Sequence, residues 1–132
     1  MLLYINKMFT FLKFIFYISL SLIIIISLYP GSLIGYLLYG NLSQQPNLIS
    51  NPFGTTINHL ISYIYVSILG LFIYANDRKL VFSLFFLAVI LELLHFVIPN
   101  RSLQLSDLIA NILGVVVAYS IIKIYLLLKK NE

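Results

Sequence analysis

The chain has 132 residues, 61% of them hydrophobic and only 9% charged, with a formal net charge of +4. A soluble domain carries about 25% charged residues, so this composition excludes a water-clothed globule and makes a bilayer the natural solvent. The absence of cysteine excludes disulfides, thiolate metal sites and thiol nucleophiles, and a charge split between the two ends and one loop is not a nucleic-acid stripe. No nucleic-acid partner and no cofactor are therefore expected.

Four apolar runs approach the roughly 20 helical residues that cross a hydrocarbon core. The first covers residues 8–29, densest at FIFYISLSLIIIISLY. Its basic start and apolar centre resemble a secretion signal, but SLYPGSLIG offers no small-x-small cleavage pattern, so it is read as a retained span. The following stretch, 30–56, has no charged residue. Its GSLIGYLLYG part is itself apolar and is expected either to lie along the interface or to dip in as a re-entrant piece, with Tyr36 and Tyr39 as belt residues. The remaining runs cover 57–75, 80–98 and 107–128. Each is expected to be helical, because an isolated strand cannot satisfy its backbone groups in lipid. Pro30, Pro46, Pro52 and Pro99 fall outside all four, as helix-stop chemistry requires.

Lys7, Lys13, Arg78, Lys79, Lys123, Lys129 and Lys130 all fall on one side if both ends are cytoplasmic, leaving Arg101 as the outer basic residue. That split follows the positive-inside rule. The expected fold is all-α: a single integral membrane domain over 1–132, a four-helix bundle with both termini inside and a long apolar first outer loop.

This topology gives each polar residue a depth. His59 and Tyr63 fall in the outer half of the second helix. Glu92, seven residues before Pro99, lies roughly 10 Å below the outer end of the third, with His95 one turn higher. Asp107 and Asn111 begin the fourth. His59 and Tyr63, Glu92 and His95, Asp107 and Asn111, and Asn111 and Gly114 are three or four apart, so each pair shares a helix face. A carboxylate facing lipid costs on the order of 3 kcal/mol, so these faces are expected to turn toward one another, with Gly114 and Ala118 allowing close approach.

Each residue also has a purely structural reading. Asp107 suits an N-cap or a first-turn anion, Asn111 an interhelical linker, His59 and Tyr63 a membrane belt, Gly114 packing, and Arg101 a solvated loop charge. Glu92 resists such a reading, since a carboxyl within a bilayer needs a partner or a task. Arg101 and His95 are the available partners.

Glu92, Pro99, Arg101, Asp107, Asn111 and Gly114, with His59 and Tyr63 before them, resemble the signature of the VanZ-like family of small membrane proteins, named for an accessory protein of teicoplanin resistance in bacteria. The resemblance spans residues 55–118. His95 stands where that family has Gln, and Thr55 and Thr56 stand where it has an Asp-Lys pair. The family implies an integral protein of the bacterial cell envelope and supplies no defined reaction.

The expected site therefore comprises His59, Glu92, His95, Arg101 and Asp107 as candidate catalytic groups, with Tyr63, Arg101, Asn111 and Gly114 contacting a ligand. In one reading the site binds or modifies an anionic lipid-linked or cell-wall-precursor group at the outer leaflet. Arg101 clamps a phosphate, a histidine acts as acid or base, and Glu92 orients it. In a second reading the chain is a scaffold whose polar network fixes helix packing. A third, a small proton-coupled transporter, lacks both an acid in the first helix and a polar path inward through LVFSLFFLAV. Two histidines and two carboxylates have the chemistry for a metal, but no dense motif such as His-x-x-x-His is present, so none is expected.

Overall fold

The computed structural model describes residues 2–46, 56–75 and 77–130. Among these there is no strand. Five helices follow in order: α1 (Leu2–Leu28), α2 (Leu33–Tyr39), α3 (Thr56–Ile73), α4 (Arg78–Leu94) and α5 (Leu105–Lys130). Three stretches, Asn6–Leu28, Thr56–Ile73 and Leu105–Lys130, are long and apolar enough to cross a membrane, which is compatible with a multi-pass membrane protein. α4 has 17 residues, about 25 Å at the helical rise, and is shorter than the 80–98 span expected from hydropathy.

The early end of α4 has a local cause. The backbone N–H groups of His95, Phe96 and Val97 donate to the carbonyls three residues back, of Glu92, Leu93 and Leu94. This tightens the chain out of the α-helix before Pro99, and Asn100 then takes a left-handed conformation (φ 58°) that completes the corner. At the other end of the segment, α5 begins two residues before the expected 107, so Asp107 stands in its first turn rather than at the cap.

α2 occupies the loop that composition left open between interfacial and re-entrant placements. Ser32 caps it by accepting from the Gly35 N–H at 2.9 Å, and Gly40 ends it at φ 67°. Tyr36 and Tyr39 are exposed on it. Residues 47–55 of this loop, including Pro52 and the Thr55 position, lie outside the described residues.

α3 packs most extensively on α5; α4 packs mainly on α5, and α1 on α3 and, less, on α4. The core combines Tyr63 and Leu71 of α3, Leu84 and Ala88 of α4, and Val115, Ala118 and Ile122 of α5. Small residues set the spacing. A Cβ on Gly114 would lie 2.7 Å from Tyr63 Cβ and 2.9 Å from the Leu60 carbonyl oxygen, so only glycine lets the two backbones approach this closely. The exterior is apolar: Phe14, Phe82, Phe86 and Ile124 are exposed, whereas Glu92, His95, Asp107 and Asn111 are buried. A polar centre inside an apolar surface is the arrangement suited to lipid.

Lys13 lies over the Tyr74 ring at 5.7 Å, and Tyr17 and Tyr74 share a 2.7 Å hydroxyl contact. The first half of α1 thus meets the end of α3, and the opposite ends of the helices gather the polar groups described next. Gly114→Leu should lower the unfolding midpoint of the detergent-solubilised protein by the equivalent of about 1–3 kcal/mol. Val116→Leu, at an exposed position of the same helix, should leave it unchanged.

Candidate functional site

The site begins with an unfinished helix end. The last carbonyls of an α-helix lack intrahelical donors, and in α1 the shortage is sharpened by Pro30, which has no N–H to give Ile26. Arg101, from the α4–α5 loop, takes over. Its Nη2 donates to the Ile26 carbonyl at 2.8 Å and its Nε to the Tyr29 carbonyl at 3.3 Å. A cation at a helix C-terminus also suits the helix dipole. Burial lowers the Arg101 pKa from its ordinary value, and the Glu92 and Asp107 carboxylates oppose that shift; the guanidinium stays charged.

His95 completes the same end. Its Nε2 lies 3.1 Å from the Ser27 carbonyl oxygen. A carbonyl only accepts, so Nε2 carries a proton. The other ring nitrogen, Nδ1, is 3.2 Å from Glu92 Oε1, which also accepts from the Gln104 backbone N–H at 3.0 Å. Glu92 is 1% exposed, and its second oxygen, Oε2, is buried with no hydrogen-bond partner among the described residues.

A second histidine repeats the pattern between α3 and α5. Asn111 Nδ2 points to the Ala88 carbonyl at 3.5 Å, which turns its Oδ1 toward His59 Nδ1 at 3.2 Å. Nδ1 is therefore the donor, and Nε2 is left facing Asp107 Oδ2 at 3.5 Å. The other Asp107 oxygen, Oδ1, accepts from the Thr56 hydroxyl at 2.7 Å. A ring nitrogen of His59 and one carboxylate oxygen each of Glu92 and Asp107 lie within 4.8 Å of one another.

Two cavities meet here and share Ser32, Gln45, His59, His95 and Arg101. The polar one, about 310 Å³, is also lined by Ser43, Ser102, Gln104 and Asp107. The other, about 130 Å³, runs along Ile23, Ile26, Ile34 and Tyr63 and is mainly apolar.

His59, Glu92, His95, Arg101, Asp107 and Asn111 thus converge at one end of the helices. Tyr63 lines the apolar cavity, and its hydroxyl donates to the Leu87 carbonyl at 3.4 Å. Gly114 serves the α3–α5 contact and lines neither cavity. Thr56, the Gln104 N–H and the Ile26, Ser27 and Tyr29 carbonyls are partners that side-chain spacing did not identify. For Ile26 a signal existed: Pro30, four residues later, removes its intrahelical donor. Thr56 occupies one oxygen of Asp107 from the first turn of α3.

Arg101→Met should leave the Ile26 and Tyr29 carbonyls without this donor and cost about 2 kcal/mol of stability, read as a lower unfolding midpoint in detergent. Arg101→Lys should recover only part, since an ammonium lacks the planar fork that spans both oxygens.

Comparison with protein-family models, with curated proteins and with solved structures found no match to this chain.

Proposed function

We propose that this chain is a VanZ-like, four-helix protein of a bacterial cytoplasmic membrane, both ends inside, and that its polar end binds or modifies the anionic group of a lipid-linked molecule at the outer leaflet. The observation that carries this reading is the junction of a polar and an apolar cavity at His59, His95 and Arg101. A lipid-linked phosphate has the same division, a charged head on an apolar chain. Two Arg101 donors are engaged by α1, and the remaining ones serve an anion in the polar cavity. Arg101 supplies the fixed positive charge such an anion needs, and the two histidines lining the same cavity have the chemistry to exchange a proton with it.

The basic residues at the start of α1, the start of α4 and the end of α5 lie at the other ends of these helices from this site, which supports the inside placement of those ends. Just past α4, the exposed apolar Phe96 and Val97 continue its lipid-facing band beyond Leu94, which supports reading the segment as a fourth span. The scaffold reading keeps one observation in its favour: Arg101 and His95 both satisfy α1 carbonyls and would be needed for packing alone.

The two readings separate by headgroup. In phosphatidylcholine nanodiscs, the protein should bind a polyprenyl phosphate about tenfold more tightly than the matching uncharged polyprenol, a difference of about 1.4 kcal/mol. Ser62→Leu, at a residue that lines the apolar cavity and not the polar one, should weaken binding of both. Equal affinity for the two lipids, or none for either, would leave the scaffold as the function.

A further inference from the structure

We propose that His59, Glu92 and Asp107 form a binding site for one divalent transition-metal ion, with zinc the best fit. The site goes beyond the lipid reading and does not depend on it.

The argument starts with the His59 ring. Asn111 fixes Nδ1 as the protonated nitrogen, so in the neutral ring Nε2 presents a lone pair to Asp107 Oδ2 across 3.5 Å. Two lone pairs at that distance repel, and a cation between them removes the repulsion. Tetrahedral zinc, with ligand bonds of about 2.0–2.2 Å, places its ligand atoms about 3.4 Å apart, close to the separation already present. Glu92 brings a third ligand atom within 4.8 Å of the other two, and a modest inward movement closes the set.

A second observation concerns the third ligand itself. Glu92 Oε2 is buried without a hydrogen-bond partner among the described residues, although a buried carboxylate oxygen left so is costly. A metal ion in contact with this carboxylate offsets that cost.

The surroundings have the form that metal sites use to aim their ligands. The non-ligating nitrogen of His59 donates to an amide oxygen, Thr56 donates to the spare oxygen of Asp107, and the Gln104 N–H donates to Glu92 Oε1. His59 and Asp107 line the polar cavity, which supplies an entry path and room for water or a substrate oxygen at an open coordination position. An imidazole with two carboxylates favours zinc and its neighbours over magnesium or calcium, which prefer all-oxygen sets.

The full chain in nanodiscs, stripped with a chelator, should take up a single equivalent of Zn²⁺ in a competition titration against a chromophoric chelator. Asp107→Asn and Glu92→Gln should each weaken uptake by more than about tenfold, and the supporting variant Asn111→Leu by about tenfold. Val116→Leu, at an exposed position of α5 away from these groups, should leave uptake unchanged. Because a variant can fail to fold, Co²⁺ is also added to the unmutated protein. Intense visible bands of a four- or five-coordinate nitrogen and oxygen site are expected. Failure to bind Zn²⁺, a six-coordinate aquo-like Co²⁺ spectrum, or uptake undiminished in a folded Asp107→Asn protein would overturn the proposal. The last outcomes would leave the His59–Asp107 contact as an imidazolium–carboxylate pair. Tight Ca²⁺ binding without Zn²⁺ would overturn the assignment of the metal.

Discussion

The buried carboxylate of Glu92 organises this end of the molecule. An ionised group removed from water is tolerated only with compensating partners, and Glu92 recruits them from both directions along the chain. His95, one turn on, is held against it. The Gln104 N–H folds back from the start of α5 to reach it, and this sets where the α4–α5 segment turns. That turn in turn delivers Arg101 to α1. A single acid thus determines the path of the connection, the start of α5 and the closure of the first helix. Its replacement by an apolar residue would remove the cost of burial and, with it, the reason for the loop to fold in this way.

Structural and chemical duties are therefore carried by the same groups. Arg101 closes α1 and also lines both cavities; His95 pairs with a carboxylate and with a helix end. Such sharing has a physical benefit. In lipid there is no hydrophobic drive between helices, so polar contacts supply much of the specificity with which they meet. A site assembled from those contacts is held in place by the fold itself and needs no separate support.

Much of this was legible in the residues. Hydropathy located the helices to within a few positions, because the requirement to satisfy backbone groups in lipid leaves little choice of structure. The three- and four-residue spacings brought His59, Glu92, His95, Asp107 and Asn111 to one end, because a carboxylate and its neighbours cannot face lipid. What escaped was of two kinds. Backbone partners such as the Ser27 and Tyr29 carbonyls have no side-chain identity to read. The mutual distances of His59, Glu92 and Asp107 are the second, because one residue comes from each of three helices and no local spacing fixes them. α2 escaped in part as well: seven residues with a serine cap and a closing glycine are too short for a periodic signal, and the end of α4 was blurred because Phe96 and Val97 continue its apolar run past the last helical turn.

The contact of Asn111 with the Ala88 carbonyl has a reach greater than its length suggests. Hydrogen bonds in series have a direction, and this series starts at a backbone oxygen that can only accept. The amide must then present its oxygen to the imidazole, and the imidazole must present its bare nitrogen to Asp107. At 3.5 Å the first contact is at the outer limit of a hydrogen bond, so a small slide of α4 along α5 releases it. The amide is then free to turn over, and the ring would exchange its protonated and open nitrogens. The longitudinal position of one helix and the tautomer of a histidine on another are, in this arrangement, a single mechanical variable.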